Sequence, residues 1–319
     1  MSSFGDFLML VLGIGGLWFG SETLIRGAMS LADRYRLSDA LFGMLVLAIG
    51  TDLPELFVAF DASFRSLAGE DLSGIVIGSA IGSTVGQFAL VFGIAGFIGY
   101  APMNRKFLPR NSFFLLGGIA AVYLAAMDGV ISRGEGLALI GFYATYLYVL
   151  ITRRAEMPDE GEEIHHMPVW KAWSILAAGL VMLLVAAELT VVFAAEFAED
   201  VGLSNIAVSA IVIGMGSSLP ELSVSFVALL RKRGGLSVGN LVGSNVLDTL
   251  LVPGIAAAIS PLAIPAAVLI VDLPVLFVTT VLVLIFLYVT GRGIRSPEAA
   301  VMLAIYFGYA AVRLAGPGS

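Results

Sequence analysis

The 319-residue chain contains no cysteine, only two histidines, and charged residues at 13% of its positions. The first absence excludes disulfides, thiolate metal sites and thiol chemistry. Both histidines, His165 and His166, fall in one polar segment. No membrane-embedded His, Lys or Cys therefore accompanies the carboxylates of the apolar runs, as an intramembrane enzyme would require, and no enzyme is expected. There is no Gly-x-x-x-x-Gly-Lys-Ser/Thr loop, which leaves an ATP-driven pump unsupported. No basic patch suits nucleic acid, and the basic loops fit anionic lipid headgroups instead. Nor does a basic leader with a small-residue cleavage site precede the first apolar run, which reads as a mature helix.

What the chain has is apolar length. Apolar residues make up 59% of it and mean hydropathy is +0.97, outside the range of a soluble domain. Ten runs are long enough to cross a bilayer: roughly 6–31, 39–64, 72–99, 111–128, 134–152, 170–198, 203–230, 236–260, 263–291 and 297–316. A span needs about 20 residues, so the longer runs are expected to tilt or break. The expected fold is an all-α polytopic membrane protein with ten transmembrane helices and the lipid bilayer as its surroundings. With the N-terminus outside, Arg34, Arg36, Arg105, Lys106, Arg110, Arg153, Arg154, Lys171, Arg231, Lys232, Arg233, Arg292 and Arg295 lie in inner loops. Only Arg65, Arg133 and Arg313 then lie on the outer side. This positive-inside asymmetry puts both termini outside and a linker, residues 154–169, in the cytoplasm.

The chain also repeats itself. The polar segment 156–166 separates a first half, 1–153, from a second, 170–319. A shift of 166 positions lays Leu53-Pro54-Glu55-Leu56 on Leu219-Pro220-Glu221-Leu222 and Glu22 on Glu188. A shift of 161 lays Gly74, Gly78, Gly82 and Ser83 on Gly235, Gly239, Gly243 and Ser244. Five spans per half is an odd number, so the halves run through the membrane in opposite senses. Inverted repeats of this kind favour alternating access about a site near the midplane.

The repeated segments carry the chemistry. Gly50-Thr51-Asp52-Leu53-Pro54-Glu55 and Gly216-Ser217-Ser218-Leu219-Pro220-Glu221 each place a carboxylate directly after a proline inside an apolar run. A carboxylate in the hydrocarbon core costs about 2.5–3.5 kcal/mol on insertion scales, so it faces protein or a water-filled path. Proline removes an N–H and clashes with the carbonyl four residues back, here at Gly50 and Gly216, freeing hard oxygen ligands. In the following span of each half, Ser83 with Gln87, and Ser244 with Asp248, stand four residues apart on one helix face. The glycines at four-residue spacing in those spans permit close helix approach. The donors Glu55, Glu221, Asp248, Asp52, Gln87 and the hydroxyls are all oxygen, which disfavours zinc and copper and favours calcium, magnesium or sodium. Two carboxylates able to bind through both oxygens suit calcium, which takes 6–8 oxygens.

These paired segments resemble the two alpha repeats of the calcium/cation antiporter superfamily, in its prokaryotic sodium/calcium exchanger branch. The likeness covers both motif pairs in order, and the second half, with Gly239-Asn240-Leu241-Val242-Gly243-Ser244-Asn245, fits best. The resemblance implies a secondary antiporter that exchanges calcium for sodium in a prokaryotic plasma membrane, with a monomeric functional unit and no cofactor beyond the transported ions. It implies Glu55 and Glu221 as central calcium ligands. Thr51, Ser83, Ser217, Ser218, Ser244 and Asp248 would line the sodium and calcium positions, with the carbonyls of Ala48 and Gly214. It further implies that the first and sixth spans slide against the other eight. The first half departs from the family pattern at Asp52, where serine is usual, at Thr84, where Asn is usual, and at Gln87, where Asn or Asp is more common. One calcium neutralises two of the four carboxylates, so sodium, a second cation or protons must balance the rest. A proton-coupled exchanger of calcium or another divalent cation is the alternative, and a cation channel a more distant one.

Other acidic positions have plainer readings. Glu22 and Glu188 serve either a gating or proton path or a polar contact that fixes the first and sixth spans. Asp39 and Asp272 are expected near helix N-termini, Asp61 and Asp128 near the outer boundary. The linker with His165 and His166 is either a solvated connection or a regulatory metal site, without EF-hand spacing.

Overall fold

A computed structural model describes residues 3–70, 72–98, 108–153, 167–200, 218–290 and 296–315. The first half holds α1 (Ser3–Tyr35), α2 (Asp39–Phe42), a π-helical turn (Gly43–Leu47), α3 (Ala48–Thr51), α4 (Leu53–Leu67), α5 (Ser73–Gly86), a second π turn (Gln87–Val91), α6 (Phe92–Ile98), α7 (Leu108–Ala125) and α8 (Arg133–Thr152). The second holds α9 (Val169–Asp200), α10 (Leu219–Leu230), α11 (Gly234–Val246), a π turn (Leu247–Leu251), α12 (Val252–Ile259), a π turn (Val268–Asp272), α13 (Leu273–Thr290) and α14 (Ser296–Ala315). Two short strands, β1 (Val130–Ile131) and β2 (Leu262–Ala263), pair antiparallel and tie the entry of α8 to the exit of α12.

Among the described residues seven helical segments are long and apolar enough to cross a membrane, and eight when the bent 39–67 segment counts as one. The chain is thus a mostly helical integral membrane protein. Two of the ten expected runs fall outside that set. Residues 201–217 of the run at 203–230 lie outside the described residues, and α10 is its remainder; the run at 297–316 forms α14.

The bend in the 39–67 segment is 46° and falls at Asp52. Its cause is Pro54: α4 starts with proline in its first two positions, where a missing N–H leaves no intrahelical bond unmade. The α10 helix also begins with its proline, Pro220, at the same place.

Two helical stretches are far more buried than the rest. Residues 73–97 and 234–259 are each 78% buried, against 28–39% for the other five single spans. These central spans are built alike, an α-helix, a five-residue π turn and a second α-helix. The π turn begins at Gln87 in one and at Leu247, next to Asp248, in the other. Single π turns cluster at functional sites.

Around this centre α1 and α9 lie side by side and antiparallel. A Cβ on Gly16 would stand 2.8 Å from the Ala186 Cβ, and one on Gly20 the same distance from the Leu183 backbone nitrogen. Glycine is what lets these two backbones meet, as in close-packed membrane helices. The apolar core accordingly divides in two. One cluster joins the central spans to α7, α8, α13 and α14; the other joins α1 and α9 to α10 and the start of the bent segment.

Candidate cation site

The two Pro-Glu motifs bring their carboxylates to the first turns of α4 and α10. Asp52 and Ser218 occupy equivalent places, each the residue just before its helix. Thr51, Asp52, Glu55, Ser83, Gln87, Ser218, Glu221, Ser244 and Asp248 are all buried. Asp52 lies within Coulombic range of Asp248, Glu221 and Glu55.

Side-chain amides join the halves. Gln87 Nε2 donates to Ser83 Oγ at 3.1 Å and to Asp248 Oδ2 at 3.2 Å. Asn245 Nδ2 donates to Gln87 Oε1 at 2.8 Å and to the Leu241 carbonyl at 2.6 Å. Gln87, one of the expected ligands, thus bonds Ser83 and Asp248 through its amide nitrogen and Asn245 through its amide oxygen. The Thr51 hydroxyl donates to the Ala48 carbonyl at 3.4 Å and to Asn240 Oδ1 at 3.5 Å. The Ala48 carbonyl also accepts the Asp52 N–H at 3.0 Å, so this expected ligand is engaged by its own helix. The Ser218 hydroxyl donates to the Ser83 carbonyl at 3.4 Å. Gly214 and Ser217, also expected in the site, lie outside the described residues.

What remains is a set of buried side-chain oxygens without a hydrogen-bond partner. Both oxygens of Asp52 and both of Glu221 lack a hydrogen-bond partner, as do Glu55 Oε2, Asp248 Oδ1 and Ser244 Oγ. A buried polar atom left unpaired costs about 1–3 kcal/mol, and more when it carries charge. So many at one place, all oxygen, match the needs of a hard cation. Among the described residues no three carboxylates converge into a compact cage. The four carboxylates lie within electrostatic reach of one another rather than around one compact point.

A cavity of about 550 Å³ opens onto Glu55, lined by Pro54, Val58, Ser79, Pro220 and the face of α9 that carries Glu188 and Glu196. Its lining, mostly apolar with Ser79, Glu188 and Glu196 among it, runs from Glu55 toward the C-terminal end of α9.

Comparison with known proteins places this geometry. Residues 5–152 and 171–315 match the family described as sodium/calcium exchanger protein. The chain belongs to the sodium/calcium exchanger family. The sodium/calcium exchanger MaX1 of Methanosarcina acetivorans is 24% identical over 96% of this chain and 98% of its own length. A membrane protein of Methanocaldococcus jannaschii is 30% identical over 93% and 97%. Among solved structures, the sodium-calcium exchanger NCX_Mj soaked with Na+ and Sr2+ superposes with a TM-score of 0.80 at 26% identity, covering 97% of this chain and 99% of that one.

Several residues around this carboxylate cluster gave no isolated signal in the sequence. Asn240 and Asn245 lie in the second-half motif but act by bridging to Thr51 and Gln87 across the repeat interface. Tyr143 of α8 stands close enough to Asp52 and Asp248 to feel their charges, and nothing in its sequence surroundings distinguishes it. Four of the remaining acidic positions form ion pairs. Glu22 of α1 binds Arg231 at the end of α10, with Arg231 Nε donating to Glu22 Oε2 at 2.9 Å. The contact joins α1 to α10, not the first span to the sixth as the expected polar contact would. Asp39 pairs with Arg233 at 3.3 Å, Asp272 with Arg313 at 3.4 Å, and Asp61 with Arg65 at 3.7 Å.

Proposed function

We propose that this protein exchanges calcium for sodium across the membrane, one ion species at a time, at the buried carboxylate cluster between the two motif pairs. The observation that carries the reading is the set of partnerless, fully buried oxygens on Asp52, Glu55, Glu221 and Asp248. Family membership adds cation antiport, and calcium and sodium are what the names of MaX1 and NCX_Mj give for those proteins. Glu55 and Glu221 hold the calcium ion, with hydroxyls of Thr51, Ser217 and Ser218 and the Ala48 and Gly214 carbonyls beside them. Asp248, Asp52, Ser83, Gln87 and Ser244 complete the sodium positions. The chain crosses the membrane ten times, as two inverted halves, 1–153 and 170–319, joined by a cytoplasmic linker at 154–169, with both termini outside and a monomer as the working unit.

Charge drives the cycle. Four carboxylates without cations make a barrier to any conformation that buries them, because charge in low dielectric is costly unless paired. Bound cations cancel that charge and let the site pass from one face to the other. Crossing when loaded and not when empty is what couples two ions in an exchanger.

A proton-driven cycle is the second reading, favoured by Asp52, an added carboxylate at the place the other half gives to Ser218. Calcium-45 uptake into proteoliposomes, driven separately by outward sodium and outward proton gradients, decides between them. Uptake with sodium alone supports the exchanger; uptake with protons alone replaces sodium as the partner ion. If neither gradient drives uptake, calcium is the wrong substrate.

A further inference from the structure

The shift of 166 positions that relates the halves pairs Glu22 with Glu188 and also Arg231 with Arg65. The structure treats the two couples differently. Glu22 and Arg231 form a two-pronged ion pair between α1 and α10. Nearby, Ser21 donates to Ser223 at 2.7 Å and Ser223 donates to the Leu17 carbonyl at 3.0 Å, so α1 is closed onto α10 around Ser21 and Glu22. Toward the N-terminal end of α1 a cavity of about 460 Å³ lies between Leu10, Ile14 and Trp18 on one side and Leu219 and Phe226 on the other. At the equivalent interface, between α9 and α4, lies the cavity that opens onto Glu55, and Glu188 lines it. Arg65 is turned instead to Glu70, at 3.0 Å from Nε, and to Asp61.

Repeat mates along the two interfaces show the same asymmetry. Val224 of α10 is 0% exposed, whereas its mate Val58 of α4 is 37% exposed and lines the cavity. Arg65 lies seven residues beyond Val58, hence on the same helix face. Arg231 and Arg65 sit at opposite ends of the molecule. The Arg233–Asp39 pair holds the end of α10 beside the start of the 39–67 segment, and Arg65 is at the far end of that segment.

We propose that Glu188 and Arg65 form the mirror ion pair in the opposite state of the transport cycle, made when Glu22–Arg231 breaks. This rests on the inverted-repeat reading above. In the state seen here α1 is latched to α10 and the α9–α4 interface is open. In the other, α9 closes onto α4, Glu188 meets Arg65, and α1 parts from α10. Each pair holds one end of the molecule shut while the other admits ions. Glu22, Arg231, Glu188 and Arg65 are thus positioning residues that set the balance between the two states without touching the transported ion.

The absence of cysteine makes the test direct. Ser79 lines the cavity, so Ser79→Cys reports its opening by the rate of reaction with a polar maleimide in purified protein. Adding Glu22→Gln or Arg231→Gln is expected to slow labelling about fivefold, a population shift within reach of one well-formed ion pair. Adding Glu188→Gln or Arg65→Gln to the slow variant is expected to return the rate toward that of Ser79→Cys alone. The reversed pair, Glu188→Arg with Arg65→Glu, is expected to restore the slow rate. Slow labelling that persists after Glu188→Gln and after Arg65→Gln overturns the mirror pair. Labelling unaffected by both Glu22→Gln and Arg231→Gln overturns the latch altogether. The readout needs no transport, so a failure of calcium uptake in the parent counts against the exchange reading alone.

Discussion

Gly243, next to Ser244, leaves its helix almost no room against the 39–51 segment. A Cβ there would stand 2.7 Å from both the Met44 carbonyl oxygen and the Ala48 Cβ, and 2.8 Å from the Met44 Cα. Ordinary contacts between such atoms are about 3.5–4.0 Å, so Gly243→Ala must part α11 from α3 and its π turn by roughly 1 Å. Overpacking of this kind costs about 1–3 kcal/mol, while alanine in place of helical glycine recovers about 1 kcal/mol. The net is a destabilisation of up to about 2 kcal/mol. Gly141 of α8 is the control, since a Cβ there meets nothing within 4 Å, and Gly141→Ala is expected to gain about 1 kcal/mol. The same 1 Å breaks the Thr51–Asn240 contact, already at 3.5 Å, and carries Ser244 and Asp248 away from Asp52. Thermal unfolding in detergent and calcium-45 uptake test both halves of the argument. Gly243→Ala is expected to unfold below the parent and Gly141→Ala above it, with uptake reduced about tenfold only in the former. If Gly243→Ala unfolds no lower than Gly141→Ala and transports as the parent does, the close-packing argument is wrong.

Three further outcomes are expected. Glu221→Gln removes a fully buried carboxylate with two partnerless oxygens, and calcium uptake should fall at least a hundredfold with little loss of thermal stability. Asp39→Asn takes the carboxylate charge out of the buried pair with the Arg233 guanidinium, 9% exposed. Breaking such a buried pair costs about 3–5 kcal/mol, to be seen as a marked drop in unfolding temperature. Asn245→Leu frees Gln87 Oε1 and loosens the hold of Gln87 on Asp248. Sodium's half-saturating concentration in an exchange assay should then rise several-fold, and an unchanged value would show that the amide bridge does not position Asp248.

The sequence carried the spans and the paired motifs because both are written locally. A proline followed by glutamate in an apolar run reads the same in either half, and burial of Glu55 and Glu221 followed from the cost of exposing them to lipid. Contacts between distant segments were not legible. Glu22 and Arg231 are 209 positions apart, and the repeat pairs each with its own mate rather than with the other. Gln87 is a candidate ligand in the sequence because its position is equivalent to that of Asp248. Only the packing of the two central spans turns its amide toward Asp248 and Asn245. The π turns at Gln87–Val91 and Leu247–Leu251 were hidden for another reason. An extra residue in one helical turn barely disturbs an all-apolar pattern, yet it rotates everything beyond it.

The account stands on one location for the transported ion. Crystals equilibrated with calcium and measured at a wavelength where calcium scatters anomalously would show it directly. The expected result is a peak between α4 and α10, with oxygens of Glu55 and Glu221 at about 2.3–2.6 Å, that vanishes when sodium replaces calcium. A peak elsewhere, or one that survives in the Glu221→Gln protein, would contradict the claim that these carboxylates hold the ion.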